Sequence, residues 1–141
     1  RQLLGVDFIS HQKSGLKWDD YILNCVKKAH NKMWILRRLA EKGVSPEDLL
    51  LPYKSRVRIQ MEMNIPLWHF TISQALSKTI ERVQKACLFI ILGKYATTDY
   101  NINLSLLNLE KLENRREAIC QKFAKKVQRI VKNCQKAVKS C

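Results

Sequence analysis

Residues 19–40 read DDYILNCVKKAHNKMWILRRLA, and in that stretch Ile22, Val26, Ala29, Met33, Leu36 and Ala40 recur at intervals of three and four. Such spacing turns one stripe of a helix inward and predicts an amphipathic helix opening near residue 19. Asp19 or Asp20 stands where an N-cap belongs, and Gly43 where a helix stop belongs. Lys27, Lys28, Asn31, Lys32, Arg37 and Arg38 mostly fall off the stripe and make a basic flank.

Working outward, Ser45-Pro46-Glu47-Asp48 announces a second helix: Ser45 can cap, Pro46 suits the first helical position, and Val44 with Leu49 forms a hydrophobic staple. Leu49, Leu50, Tyr53, Val57 and Met61 carry its period, whereas Pro52 lacks a backbone donor and predicts a kink or a delayed start. Pro66 is expected to end the segment near residues 64–65. A third helix is expected over residues 73–92, with Leu76, Ile80, Val83, Cys87 and Ile90 inward and Gly93 as its stop. Residues 95–103 read as a polar loop and residues 104–109 as a short apolar turn. The last helix spans about residues 112–139, with Cys120, Phe123, Val127, Ile130, Cys134, Ala137 and Cys141 alternating at three and four. Core packing is expected as far as Val127; beyond it the stripe fits a core or a partner helix equally. Upstream, residues 3–9 read as one strand, or as half of a hairpin with residues 16–18. The expected fold is mainly α: a short N-terminal strand or hairpin (residues 1–18), a bundle of about four helices (residues 19–126), and a basic helical tail (residues 127–141) that frays.

Composition bounds what such a fold can do. The chain has 141 residues and 16.5 kDa, one domain's worth. Only 4 Gly and 3 Pro punctuate it, which excludes a many-turned sandwich or barrel. Against 12 Asp and Glu stand 26 Lys and Arg, a net charge of +14, and residues 111–141 carry ten of the cations and only two of the acids. A field of that size favours a polyanion, either nucleic acid or an anionic membrane surface. The longest apolar run, residues 86–92, is seven residues, too short to span a bilayer. The chain starts at Arg1 without a signal-like segment, so it is expected to begin inside a longer reading frame and to work inside the cell, in nucleus or cytoplasm. Five cysteines show no C-x-x-C pair and no His at ligand spacing; reduced, packed thiols are expected rather than zinc or disulfides.

Few constellations carry chemistry. Trp18-Asp19-Asp20 invites comparison with a polymerase aspartate pair, but the only preceding acid is Asp7 and a helix starts at once, so helix capping is the better reading. His11, His30 and His69 lie in separate segments, and the four glycines are isolated, which leaves no phosphate loop. Trp34 beside Arg37-Arg38 reads as a core or interface indole next to cations that meet phosphate oxygens. Arg115-Arg116, Lys125-Lys126 and Arg129 make a second basic stripe.

Taken in order, Leu4-Gly5-Val6, Leu16-Lys17-Trp18, Leu36-Arg37-Arg38-Leu39, Asp48-Leu49-Leu50 with Tyr53, Pro66-Leu67-Trp68-His69, Ile80-Glu81-Arg82-Val83-Gln84-Lys85-Ala86, Ile90-Ile91-Leu92-Gly93, Leu109-Glu110, Arg115-Arg116 and Phe123-Ala124 form a recognisable set. It resembles the segment downstream of the polymerase palm in non-LTR (LINE-like) retrotransposon reverse transcriptases, as far as about residue 126. The resemblance implies that the first strand ends a palm and that the helices are a thumb gripping an RNA–DNA or DNA duplex by its backbone. It places the catalytic aspartates and their magnesium in a palm upstream, so no catalytic residue, metal or other cofactor is expected in this chain. The residues expected to meet phosphates are Lys27, Lys28, Lys32, Arg37, Arg38, Arg82, Lys85, Arg115, Arg116, Lys125, Lys126 and Arg129. Pro52, Met63-Asn64-Ile65 and Lys111 depart from the family's pattern, as a decaying copy of a mobile element would. The alternative is a stand-alone interaction module that pairs, with itself or another chain, through residues 120–141; peripheral membrane binding by the same helix is a third reading.

Overall fold

The computed structural model describes residues 18–140 and, ahead of them, the backbone of Gln2–Leu3 and Val6–Asp7, which pair antiparallel. The expected strand over residues 3–9 and its hairpin with residues 16–18 otherwise lie outside the described residues. From residue 19 the chain is helical: α1 (Asp19–Glu41), α2 (Pro46–Pro52), a π-helical stretch (Tyr53–Arg58) running into α3 (Ile59–Met61), α4 (Ile65–Trp68) with a 3₁₀ turn (His69–Thr71), α5 (Gln74–Leu92), a 3₁₀ turn (Gly93–Tyr95), α6 (Tyr100–Leu106) and α7 (Leu112–Lys139).

α1 buries Ile22, Cys25, Ala29, Met33 and Leu36, the stripe read from its spacing, with Val26 and Ala40 half-buried at its edge. Asp19 and Asp20 are not caps; they lie in the first turn, where carboxylates meet the positive end of the helix dipole, and Trp18 at the N-cap makes no side-chain cap bond. At the other end Gly43 takes φ +84° while Val44 N–H donates to Leu39 O and Gly43 N–H to Ala40 O, the Schellman arrangement in which a left-handed residue lets the last carbonyls find donors. α5 packs along α1 as the central pair. Ser73 caps it, accepting from Leu76 N–H at 3.2 Å, and Leu76, Ile80, Val83, Cys87, Leu88 and Ile91 face inward.

The arm from α2 to α3 packs against α1 along its length. Ser45 caps it as expected, accepting from Asp48 N–H at 3.3 Å. Pro52 neither delays nor ends the helix. Its ring removes one donor, and the helix widens over Tyr53–Arg58 before closing again at Ile59–Met61. Leu49, Tyr53, Val57 and Met61 are all buried. The segment stops at Met61, and Pro66 opens α4 instead of ending its predecessor, because a first-turn residue needs no backbone donor. Between them Asn64 takes φ +57°, a conformation asparagine tolerates, and its Nδ2 donates to the Tyr21 hydroxyl at 2.8 Å. Trp68 is buried and its Nε1 donates to Met63 O at 2.8 Å.

α6 extends through residues expected to be loop. Asp99 caps it through Asn101 N–H, and Asn103, fully buried, donates to Thr97 O and accepts from Thr97 N–H. In α7 only Leu112, Arg116 and Cys120 are buried. Core packing therefore ends at Cys120 and not at Val127: residues 121–139 continue as helix but are exposed throughout.

Candidate nucleic-acid interface

The inward stripe of α5 leaves Lys78, Arg82 and Lys85, four and three residues apart, on its exposed edge. The matching edge of α1 carries Lys27, His30, Asn31 and Trp34. Where the two edges meet lies an open groove of about 330 Å³, lined by Val26, Lys27, His30, Asn31, Thr79, Arg82, Val83 and Ala86. Over the crest of α5 a second recess of about 370 Å³ is lined by Ser77, Lys78, Glu81, Arg82, Lys85, Tyr100, Lys111 and Glu113. Arg82 belongs to both, so the two recesses meet along one cationic ridge.

Of the cations named from sequence, this ridge gathers Lys27, Arg82 and Lys85. It adds Lys78, Lys111, His30 and Asn31, none of which was among the expected phosphate contacts. The three-four spacing of Lys78, Arg82 and Lys85 along one helix was the available signal. Arg37 and Arg38 are exposed further along α1, Lys28 is exposed and Lys32 half-buried. Of the two readings of Trp34, core or interface, its 58% exposure excludes the core one.

The recess on the α7 side is held by a polar network. Glu81 accepts from Leu112 N–H at 3.1 Å and from Glu113 N–H at 2.9 Å, so its carboxylate caps the α7 N-terminus in trans, and it also accepts from the Tyr100 hydroxyl at 2.6 Å. Lys111, at the N-cap position, supplies no side-chain cap. Gln84, fully buried, donates to the Tyr100 hydroxyl and to Glu110 O and accepts from the Tyr53 hydroxyl. Burial pushes the Tyr53 phenol up, reinforced by the Cys87 thiol nearby. Burial, then the bond to Glu81, does the same for Tyr100. Both phenols therefore keep the proton that they donate. Burial also lifts the Cys87 thiol to about 12, making it a packed hydrophobe and no nucleophile.

Two expected phosphate contacts are structural. Arg115 makes a bidentate pair with Glu62, Nε to Oε2 at 2.6 Å and Nη2 to Oε1 at 3.1 Å, which ties α7 to the end of α3. Arg58 shares that carboxylate at 3.5 Å. Arg116 is 1% exposed. It stands four residues from both Leu112 and Cys120, so the helix turns it inward with them. Its Nη2 donates to Ser77 Oγ at 2.6 Å, while Nε and Nη1 have no hydrogen-bond partner among the described residues. Burial lowers its pKa, and the nearby Glu81, Glu113 and Glu62 carboxylates oppose that. His69 is half-buried on the 3₁₀ turn that packs against α7, and burial, then the Arg116 charge, holds it below the ordinary imidazole value of 6.5.

Lys125, Lys126 and Arg129 lie on the exposed part of α7. Cys25, Cys87 and Cys120 are buried, whereas Cys134 is exposed. Among the described residues no three His, Cys, Asp or Glu side chains group as metal ligands, and no helix is long and apolar enough to cross a membrane. Comparison with protein-family models, with curated proteins and with solved structures gives no match to this chain.

Proposed function

We propose that this chain is the thumb-like, duplex-gripping part of a retroelement reverse transcriptase, and that it holds nucleic acid along the α1–α5 ridge by phosphate contacts without performing chemistry itself. In this reading the first residues end a polymerase palm, that palm carries the aspartates and magnesium, and the protein works in nucleus or cytoplasm. One observation carries the proposal: Lys27 and Arg82, 55 positions apart, line a single groove whose crest continues through Lys78, Lys85 and Lys111. The sequence resemblance and the net charge of +14 support it. Cations on a helix edge meet phosphate oxygens without reading bases, so affinity is expected to be indifferent to sequence.

The test is binding of a short RNA–DNA hybrid, and of a DNA duplex, as salt is raised. With four or so phosphates neutralised, log K is expected to fall with a slope of about −3 to −4 against log salt. Replacing Arg82 and Lys85 together by Ala is expected to flatten the slope by about 2, while Arg116→Ala lowers stability and leaves the slope of the folded protein alone. A slope near zero in the parent chain removes the electrostatic mechanism and the reading with it.

A further inference from the structure

Beyond Cys120 the last helix leaves the body behind. Phe123 (50% exposed), Val127 (41%), Ile130 (52%), Val131 (47%) and Val138 (75%) are open to solvent, and Ile130, Val131, Cys134 and Val138 line a shallow trough whose edge carries Gln135 and Lys139. The stripe Cys120, Phe123, Val127, Ile130, Cys134 and Ala137 keeps a strict three-four alternation, the 3.5-residue period of a two-helix seam. A stretch of helix without tertiary contact draws little stability from its own hydrogen bonds, and packing of its apolar face is the usual source of the remainder.

We propose that the occupant of this seam is a second copy of the same chain, zipped over residues 120–139 into a homodimer. The placement of charge selects that partner. Seven cations and no acid lie between residues 121 and 139, yet Lys122, Lys125, Arg129, Lys132 and Lys136 occupy the heptad positions that face away from the seam. The seam's own borders carry Ala124, Val131 and Val138 on one side and Lys126, Asn133 and Ser140 on the other. An acidic partner helix finds almost no charge to pair with at those borders. A bilayer-bound helix carries its cations beside the apolar arc, at headgroup level, whereas these would point into water. Against an identical helix the apolar stripes match in period, and the like charges sit on the outer faces, where solvent and salt screen them.

Sedimentation equilibrium of the chain, free of nucleic acid and at raised salt, tests this over about a hundredfold range of concentration. Weight-average mass is expected to climb from the 16.5 kDa monomer toward twice that value. Val127→Glu with Ile130→Glu is expected to hold the chain monomeric, and because neither residue is buried in the body the cooperative thermal melt should persist. Lys125→Glu with Lys132→Glu, on the outer face, is expected to leave the dimer in place. A monomer at every concentration overturns the proposal, as does a seam variant that associates like the parent. Flotation of a monomeric chain with anionic phosphatidylserine vesicles, lost in the seam variant, also overturns it by naming a different occupant. None of these results bears on duplex binding, whose salt slope is read separately.

Discussion

Gln84 shows how much one residue can hold. A polar side chain with no exposure survives in a helix core only when its donors and acceptor are all met, and here the Tyr53 hydroxyl, the Tyr100 hydroxyl and Glu110 O meet them. Replacing it by Leu fills the space but strands the Tyr53 O–H and Glu110 O, so Gln84→Leu is expected to cost about 2–3 kcal/mol of unfolding free energy in urea titration. A loss under about 0.5 kcal/mol would mean that the network is ornamental. His69 gives a pH signature. Its pKa is depressed in the folded chain, so the unfolded chain takes up the proton first as pH falls. Its contribution to stability is whole above about 6.5 and drains away below. Thermal melts between pH 7 and 5 are expected to show that decline, and His69→Gln to flatten it; an unchanged profile in the variant would assign the titration elsewhere. Position 84 was legible in principle, since it lies in step with Ile80, Cys87, Leu88 and Ile91, and Arg116 lies likewise between Leu112 and Cys120. Polarity hid both, because sequence reading sends Gln and Arg outward unless a partner is in view, and their partners are up to 39 residues away.

The elements reveal the same division between local and distant causes. α1, α5 and α7 stood out in the sequence because long periodic stripes are short-range facts. Proline was harder: Pro52 looked like a kink or a delayed start and Pro66 like a stop, but one is absorbed by a wider turn and the other sits where no donor is needed. The start of α7 has no local side-chain cap, since the carboxylate that caps it is Glu81 on another helix. Glu81→Ala therefore strips two backbone donors and the Tyr100 hydroxyl of their acceptor at once. The expected cost is about 2 kcal/mol, with faster amide exchange confined to the first turn of α7. Exchange left unaltered in that turn would show that the cap is dispensable.

On the scale of the whole molecule, charge was readable and its distribution was not. A net +14 says that a polyanion is welcome; only the packing of α5 on α1 says that Lys27 and Arg82 greet it together while Arg115 and Arg116 serve the interior. The widened stretch after Pro52 has a consequence of its own. In an ordinary helix each step of four residues overshoots a full circle by about 40°, so Leu49, Tyr53, Val57 and Met61 would spiral off α1 within three steps. The π turn rotates less per residue and unwinds that overshoot, which makes it a vernier: it resets the angular scale once so that a four-four-four spacing can keep a single bearing. Any sequence that exchanges this vernier for plain α-helix has to rewrite its hydrophobic spacing to threes and fours, or let the arm peel away from its neighbour.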